Sequence, residues 1–516
     1  MSLVETALDV DVVRRQIRST LMPGFVGTTV PEWLALRLRD GLGAVCIFGP
    51  NIVSRAQLRE LTAAIHAENP LAVIAIDEEG GDVTRLYYDS GSPYPGNAIL
   101  GRLDDLERTE RVGRMVGWEL RQAGCTLTFA PDVDINSNSN NPVIGVRSFG
   151  TDPERVAAHS AAWVRGLEAT GVASSPKHFP GHGDTSQDSH LSLPVVDLSL
   201  DELHDRELVP FRAAIAAGAQ TIMTSHILLP QIDPEFPATL SKRILQGLLR
   251  EELGFEGVIV SDALDMVGAS GVLGIPGAAA AALAAGCDLL CIGTENTDAQ
   301  MSEIEDAVLA AIVAGDLSAH RVAEAAGRVL ALAAATRTAA ALSPVPVEVN
   351  SVDEPEFNAG LVIDSFELNG AASAWLAAGH ATFSVIRLET VANIAVGVAP
   401  WGPFAELGAN PDSALAEAWN GKPVVTCSAQ GRQELVLAAL APVLVIGKDN
   451  HRHAFAIDII DRLRAEGRDV LVVDMGWPSD DREYADIATF GASRLVGRSL
   501  LTLLLDGDAV ASRLTK

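Results

Sequence analysis

Fourteen consecutive residues, 177–190, bring together side chains that can transfer protons and bind polar ligands. The run, KHFPGHGDTSQDSH, contains two glycines, three histidines, two aspartates and a lysine. Glycine lets a backbone approach a ligand closely, while His, Asp and Lys supply proton transfer and hydrogen bonds. This composition is typical of a catalytic loop rather than of a turn that only connects two elements.

The end of this run pairs a carboxylate with an imidazole, because Asp188 precedes His190 by two residues. An aspartate beside a histidine fixes the imidazole tautomer and stabilises its protonated form. Since histidine titrates near neutral pH, the pair could donate a proton and then recover it. The alternative is a metal site built from His178, His182 and His190, but their spacing in a segment interrupted by Gly and Pro matches no standard zinc motif. We therefore expect neither a metal nor a cofactor.

A third carboxylate, Asp262, follows the apolar run 258–261, which has the length of a strand. A retaining glycosidase needs one carboxylate as the nucleophile and a separate group that donates and accepts the proton. A carboxylate at the end of a strand is held rigidly enough for the first role. From the spacing alone, Asp262 could equally well be the N-cap of a helix that follows it.

Four more side chains are candidates for binding the hydroxyl groups of a ligand: Asp77, Arg85, Arg147 and Lys177. Arg147 lies in a glycine-containing loop, where an arginine is usually only solvated. Lys177 is harder to dismiss, since it ends a predicted strand. His226 has two equal interpretations, a site residue or a core histidine whose ring is satisfied by the backbone.

The elements that position these residues alternate regularly between residues 20 and 335. Eight short apolar runs, most of them followed by a run of helical composition, predict a (β/α)8 TIM-like barrel. The predicted strands are Gly24–Gly27, Ala44–Phe48, Ala72–Ile76, Thr126–Ala130, Val172–Ser175, Thr221–Thr224, Val258–Ser261 and Leu289–Ile292. The clearest predicted helices are 54–68, 104–123, 153–169, 200–217, 241–253 and 297–314.

Five of these strands run directly into polar residues. In a barrel, the carboxyl ends of all strands share one face, and active sites are built there. Any single polar residue at a strand end could be a helix N-cap, but their recurrence at five ends favours a site. These residues are Asp77, Asp132, Lys177 with His178, Ser225 with His226, and Asp262.

The sequence predicts three parts: a barrel domain at 1–338, a linker at 339–352, and a smaller C-terminal three-layer α/β domain at 353–516. The second domain again alternates strand-like and helix-like runs. Its predicted strands are Phe383–Arg387, Ile394–Val398, Val424–Cys427, Val443–Ile446 and Val470–Val473, and its predicted helices are 412–419, 432–440, 452–466 and 493–505.

Composition excludes several classes of partner and compartment. The 516 residues carry a formal net charge of −29, which argues against binding to nucleic acid or to an anionic membrane. Five dispersed cysteines give neither a disulfide framework nor a zinc pattern. No segment has the length and apolarity of a membrane helix, and residues 1–21 contain no apolar signal core, so we expect a cytoplasmic protein.

Residues 177–190 match throughout a motif close to K-H-F-P-G-H-G-D-T-x-x-D-S-H. In this they resemble the β-N-acetylglucosaminidase branch of glycoside hydrolase family 3. Four shorter stretches, which occur in the family's order, are also similar to elements of that branch. They are residues 76–81 together with Arg85, residues 141–150, residues 237–241 and residues 261–266.

The resemblance implies a role for each candidate residue. Asp262 would be the nucleophile, and His190, paired with Asp188, would be the acid/base, without a metal. The fold would be a barrel, and the second domain would be structural or would shape access. The sugar in the −1 subsite would be held by Asp77, Arg85, Arg147, Lys177 and His178.

The chain departs from the family pattern at two places. Asp82 stands where many relatives have arginine, and Ser137 and Ser139 lie in a stretch where relatives often carry proline. Neither departure touches the residues expected to do chemistry. We expect an effect on the rim of the site and on the preference for the aglycone.

The function that fits these residues best is a retaining exo-β-N-acetylglucosaminidase acting on small glycosides that end in N-acetylglucosamine (GlcNAc), such as muropeptide or chito-oligosaccharide fragments. A phosphorylase is the first alternative, because a neutral histidine does not repel an anionic phosphate acceptor as a carboxylate would. A β-glucosidase and a catalytically silent sugar-binding protein are the others. The expected partner is a small sugar, with phosphate as an alternative acceptor and no nucleic acid or membrane.

Overall fold

The computed structural model describes residues 9–185, 193–271, 273–345, 358–390, 395–430 and 441–505. Asp188 and His190, the pair expected to transfer the proton, lie outside the described residues. The chain divides into two compact units. The first comprises Met1–Glu78, Leu106–Ile135 and Asp152–Val349, and the second comprises Glu79–Asp105, Asn136–Thr151 and Asn350–Lys516. Two segments of the predicted barrel domain therefore group with the C-terminal part of the chain.

The first unit is built on eight short parallel strands, which confirms the predicted barrel. The strands are β1 Leu21–Pro23, β2 Ala44–Ile47, β3 Val73–Ile76, β4 Leu127–Thr128, β5 Ala173–Ser174, β6 Thr221–Met223, β7 Val258–Val260 and β8 Leu290–Gly293. β1 pairs with β8, β2 to β5 pair in order, and β6 pairs with β7. Single bridges, Phe179 to Thr224 and Val260 to Leu289, join these groups, and β1 lies beside β2.

The predicted position of the first strand, Gly24–Gly27, is wrong. The strand lies three residues earlier, where Leu21 and Met22 are completely buried and pair with Leu290 and Cys291. Gly24 follows the strand, and a Cβ atom there would lie 2.6 Å from the carbonyl oxygen of Gly293. The apolar side chains after Gly24 suggested a strand, but burial against β8 selected the segment before it.

Helices follow the strands as the sequence predicts. All six predicted helices occur, with ends shifted by a few residues; the one at 200–217 is composed of Leu200–Glu202, Leu203–Glu207 and Leu208–Ala216, whose middle part has wider π-helical turns. The other helices of this unit are Val10–Ser19, Glu32–Arg39, Arg55–Glu68, Leu106–Gln122, Pro153–Glu168, Arg243–Glu252 (also π-helical), Val267–Ser270, Gly274–Ala285, Asp298–Ala314 and Ala319–Leu342.

The last helix of this unit, Ala319–Leu342, is not among the helices predicted from the sequence. It continues through four residues of the predicted linker, because its alanine-rich end has a strong intrinsic preference for the helix. Its Val329, Leu332 and Ala333 belong to the same apolar core as the inward-facing side chains of the strands. This helix therefore contributes to the apolar core of the barrel.

The second unit contains a six-stranded sheet. Its strands are β9 Glu367–Leu368, β10 Ser384–Glu389, β11 Val424–Ser428, β12 Val443–Gly447, β13 Val470–Asp474 and β14 Ile487–Ala488. They lie in the order β11-β10-β12-β13-β14-β9, and all are parallel except β9.

The helices Ala414–Trp419, Ala454–Ala465 and Arg494–Leu505 of this unit confirm three predictions, and the predicted helix 432–440 lies outside the described residues. The remaining helices are Asn97–Leu103, Ala359–Asp364, Gly370–Ala378 and Gly402–Ala409.

One predicted strand of this unit, Ile394–Val398, is wrong over its described part. Residues 395–398 form a turn, and Gly397 has a φ of 71°, which lies in the left-handed region that favours glycine. The apolar composition of the segment suggested a strand, but this backbone conformation is incompatible with one.

Two further predictions concern the cysteines and the membrane. All five cysteines are free and buried, as expected of small core residues. Within the described ranges, no helix combines the length and the apolarity that a membrane crossing requires.

Candidate active site

The ends of β3 and β5 bring a lysine and an aspartate into contact. Lys177 donates from Nζ to Oδ1 of Asp77 over 2.9 Å. The lysine side chain is only 3% exposed, whereas that of Asp77 is 21% exposed. A buried ammonium is costly without a partner, so this pair fixes both side chains at the carboxyl end of the barrel.

Asp134, in the loop after β4, anchors the start of the histidine-rich segment. Its oxygens accept hydrogen bonds from the backbone N–H of His178, from His178 Nδ1 at 2.7 Å, and from the backbone N–H of His182 at 2.7 Å. Burial raises the pKa of Asp134, but its electrostatic interactions and hydrogen bonds with His178 and His182 outweigh that effect, so the net shift is downward. The carboxylate is therefore ionised and holds the His178 ring with its Nδ1 proton turned inward.

Asp132, Asp134 and His178 have oxygen and nitrogen atoms within 4.8 Å of one another. Such a group has the donor types that a divalent metal could use. In this structure, however, Asp134 already accepts hydrogen bonds from N–H groups of His178 and His182. Its contacts support the function of orienting the histidine ring.

His182 is a neutral imidazole close to the candidate nucleophile. Burial and the neighbouring His178 lower its pKa to about 4, although the charges of Asp134 and Asp262 act in the opposite direction. Its Nδ1 lies 2.8 Å from the hydroxyl of Thr185. The influence of Asp262 on this ring indicates that β7 and the segment after β5 present their side chains to the same region of the barrel.

Asp262 lies two residues after the end of β7 and does not cap a helix. The next helix begins at Val267 and its N-cap residue is Met266, so the N-cap interpretation of Asp262 is wrong. Its Oδ1 accepts a hydrogen bond from the N–H of Ala263 over 2.7 Å, and its own N–H lies 3.3 Å from the Thr224 hydroxyl. The carboxylate is thus held at the end of the strand and remains partly exposed to solvent.

His226 is a core histidine, which decides between its two interpretations. It is completely buried; Nδ1 lies 2.8 Å from the Thr239 hydroxyl, and Nε2 lies 2.9 Å from the carbonyl oxygen of Ala263. Because Ala263 follows Asp262, His226 supports the turn that carries the candidate nucleophile. Thr239, from the stretch 237–241, belongs to the same network.

In the second unit, Arg147 is buried and forms a bidentate ion pair. Its Nε and Nη2 donate to the two carboxylate oxygens of Glu79 over 3.0 and 2.8 Å, and Nη1 donates to the carbonyl of Val143. The side chains are 4% and 3% exposed, so the interpretation of Arg147 as a solvated loop residue is wrong. A planar guanidinium fits a carboxylate in this geometry, which gives Arg147 one fixed orientation.

Arg85 also lies in the second unit and is buried. It donates from Nη2 to the carbonyl oxygen of Ala395 over 2.7 Å, and its guanidinium lies 5.8 Å from the centre of the Tyr88 ring. Asp82, one of the departures from the family pattern, accepts a hydrogen bond from the N–H of Ala492. Burial raises the pKa of Asp82, while the charge of Lys448 and the N–H of Ala492 act against that rise.

Sequence reasoning missed three residues that organise these groups: Asp134, Glu79 and His182. Asp134 lies two residues after the polar strand end that was noticed, and Glu79 belongs to the stretch 76–81 without having received a role. His182 was considered only as a metal ligand. Asp77, Lys177 and His178 lie with Asp134 in the first unit, whereas Arg85 and Arg147 lie in the second.

The model of the Glycosyl hydrolase family 3 N terminal domain matches residues 22–332. This chain belongs to glycoside hydrolase family 3. The Beta-hexosaminidase of Stenotrophomonas maltophilia (strain K279a) is 40% identical to it over 283 residues, which are 53% of this chain and 82% of the relative. The relatives place the chain in the β-N-acetylhexosaminidase branch of the family and make it a glycoside hydrolase.

Solved structures agree with this assignment. A family 3 β-N-acetylglucosaminidase from Paenibacillus sp. str. FPU-7 is similar over 96% of both chains, with a TM-score of 0.80 and 29% identity. NagZ from Neisseria gonorrhoeae, solved in complex with N-trifluoroacetyl-D-glucosamine, is 33% identical with a TM-score of 0.52. That similarity covers 98% of NagZ but 63% of this family 3 chain, which has a second domain in addition.

Glu207 is buried against Gly181, and its ionisation should make the stability of the fold depend on pH. Burial raises its pKa to about 7, although Arg206 acts to lower it. The pKa of this carboxyl group is about 4.5 in the unfolded chain and about 7 in the folded protein. Its contribution to stability is therefore fully present below pH 4.5 and is lost as the pH rises through about 7. When the pH is raised from 4.5 to 8, the unfolding free energy of Glu207→Gln should therefore rise by about 3 kcal/mol relative to that of the wild type.

Urea unfolding of both proteins at several pH values measures this difference. Glu251→Gln, which changes an exposed carboxyl group on a neighbouring helix, shows what the substitution does by itself. If the stability difference between Glu207→Gln and the wild type does not change with pH, Glu207 does not hold its proton in the folded state.

Proposed function

We propose that this family 3 enzyme is a retaining exo-β-N-acetylglucosaminidase that transfers a terminal β-GlcNAc to water through a covalent intermediate on Asp262. The observation that carries the proposal is the position of Asp262, which lies two residues after β7, acts electrostatically on the neutral ring of His182 and is not used as a helix cap. Its carboxylate is rigidly attached and partly exposed, as a nucleophile at a sugar carbon must be.

In the first step, an oxygen of Asp262 bonds to C1 of GlcNAc while the bond between C1 and the leaving oxygen breaks. His190, supported by Asp188, gives its proton to that oxygen. In the second step, His190 takes a proton from water, the water oxygen bonds to C1, and the ester to Asp262 breaks. Two displacements at C1 retain the β configuration.

The sugar is held by hydrogen bonds from fixed side chains. Asp77 and Lys177 form one ion pair, and the Asp134 carboxylate orients His178, so these three binding groups are in place before a ligand arrives. Such preorganisation lowers the cost of ordering side chains in the transition state. For Arg85 and Arg147, which belong to the second unit, sugar binding remains a prediction from the sequence resemblance.

The substrates we propose are short GlcNAc-terminated glycosides, including muropeptide and chito-oligosaccharide fragments. Relatives named for β-hexosaminidase or β-N-acetylglucosaminidase activity support the choice of sugar. A neutral histidine at the acid/base position would also tolerate phosphate, so a phosphorylase is the second candidate.

One assay separates these candidates. The purified protein is incubated with an aryl β-GlcNAc and, separately, with the matching aryl β-glucoside, each with and without phosphate. We expect rapid release of the phenol from the GlcNAc substrate, with β-GlcNAc as the sugar product and no dependence on phosphate. GlcNAc 1-phosphate as the main product would establish a phosphorylase, and a preference for the glucoside would establish a β-glucosidase. The absence of any turnover would favour a sugar-binding protein.

His190→Ala should lose activity in proportion to the need for a proton on the leaving group. We expect kcat/KM to fall by about 10³-fold with chitobiose, whose leaving sugar oxygen must be protonated, and by far less with 2,4-dinitrophenyl β-GlcNAc. The measurement compares kcat/KM for the two substrates, using a pre-steady-state burst to separate the two steps. Equal losses on both substrates would remove His190 from the role of proton donor.

A further inference from the structure

Residues 181–185 immediately precede the stretch of sequence that contains Asp188 and His190, and they are fixed closely to the barrel. The backbone N–H of His182 donates to Asp134. A Cβ atom at Gly183 would lie 1.6 Å from the carbonyl oxygen of Ile135, so only glycine fits there. These contacts hold residues 181–185 against the loop that follows β4.

On its other side, the same segment is held by one arginine. Arg206, in the π-helical turn Leu203–Glu207, donates from Nη2 to Oδ2 of Asp184 and from Nε to Oε1 of Glu207, both over 2.6 Å. A Cβ atom at Gly181 would lie 2.8 Å from Cβ of Glu207. The helix and the segment are therefore in direct packing contact as well as bridged by the guanidinium.

Arg206 faces two carboxyl groups, those of Asp184 and Glu207. Asp184 and Asp134 both act electrostatically on the buried Glu207 and disfavour its ionised form, whereas Arg206 favours it. The Arg206 side chain is 31% exposed, Asp184 34% and Glu207 1%. The Glu207 end of the bridge is thus desolvated, and Oε1 of Glu207 can accept the hydrogen bond from Arg206 whether this carboxyl group is protonated or ionised.

We propose that Arg206 is a positioning residue for proton transfer. By fixing Asp184, which precedes Asp188 by four residues and His190 by six in the sequence, it sets the point from which the acid/base segment starts. This inference depends on the proposed function. A misplacement of about 1 Å at a proton donor can cost about 10²-fold in rate, so loss of the bridge affects mainly the step that needs the proton.

The test compares Arg206→Met with the wild type on chitobiose and on 2,4-dinitrophenyl β-GlcNAc. We expect kcat/KM to fall about 30-fold on chitobiose and less than about threefold on the aryl substrate. Arg206→Lys keeps the positive charge but cannot donate to both carboxyl groups in the same way, so its kcat/KM on chitobiose should lie between those of the wild type and Arg206→Met. A purely structural role would lower the melting temperature and both rates alike, and equal losses would overturn the proposal.

A double-mutant cycle tests whether Asp184 is the relevant partner. Asp184→Asn should give a similar loss on chitobiose, and Arg206→Met with Asp184→Asn together should lose no more than either alone, since both remove one bridge. Losses that multiply would overturn the proposal. If Arg206→Met does not fold, the isosteric variant Asp184→Asn tests the proposal by itself: its loss should be large on chitobiose and small on 2,4-dinitrophenyl β-GlcNAc, and equal losses would overturn the proposal.

Two controls separate the possible failures. Arg212→Met removes an exposed arginine of the same helical run that contacts His204, and it should leave both rates near those of the wild type. A wild-type protein without activity on either substrate would overturn the proposed function and this inference together. An active wild type with an Arg206→Met variant of unchanged substrate ratio would overturn this inference alone.

Discussion

Asp262→Ala is expected to lower kcat/KM toward an aryl β-GlcNAc by at least about 10⁴-fold, because the substitution removes the covalent step altogether. The loss should be of similar size with a good and with a poor leaving group, in contrast to that of His190→Ala. Asp262 lies at the end of β7 and caps no helix, so the variant should unfold at nearly the same urea concentration as the wild type.

Azide provides a positive test of this assignment. In the cavity left by Asp262→Ala, azide should attack C1 from the side of the missing carboxylate and restore turnover, with the α-glycosyl azide as product. Asp265→Asn, which changes an exposed carboxylate three residues further on, is the matched control and should keep near-normal rates. Near-normal activity of Asp262→Ala, or a β-configured azide product, would show that the nucleophile is elsewhere.

Asp134→Asn is expected to have the second largest effect, a fall in kcat/KM of about 10²-fold to 10³-fold together with a loss of stability of about 3 kcal/mol. The carboxylate accepts two N–H groups of His178 and one of His182. An amide of the same shape offers one acceptor and turns a donor towards the remaining N–H groups. Both histidines should then lose their fixed orientation, which weakens sugar binding and disturbs the start of the segment 181–185.

Kinetics and urea unfolding, measured on the same preparation, separate the two consequences of Asp134→Asn. Asp233→Asn is the control, since Asp233 is also a buried carboxylate of the barrel and accepts a hydrogen bond from Ser241. We expect it to lose stability without losing kcat/KM per folded molecule. If Asp134→Asn behaves in the same way, Asp134 stabilises the fold but does not position the residues of the site.

Much of the fold was predictable because its determinants are local. Alternating strand-like and helix-like runs placed seven of the eight barrel strands over the residues that form them. The first strand was misplaced because Leu21–Pro23 is defined by pairing with β8, almost 270 residues away in the sequence. The turn at 395–398 was missed because a left-handed glycine conformation leaves little trace in an apolar segment.

For the candidate site too, part of the answer was local to the sequence and part depended on the structure. The residue types were available from the sequence, and the match of residues 177–190 indicated the family and its branch. The structure alone decided that Asp262 caps no helix, that His226 belongs to the core, and that Arg147 is buried on Glu79.

The physical reason lies in the distance along the chain between the partners. Arg147 and Glu79 are separated by 68 residues and His178 and Asp134 by 44. A hydrogen bond or ion pair of this kind depends on where the loops after different strands meet, and that meeting is created by the closed parallel sheet in one case and by packing within the second unit in the other. A sequence displays each side chain but not its partner, and here the partner decides whether a charge is solvated, buried or catalytic.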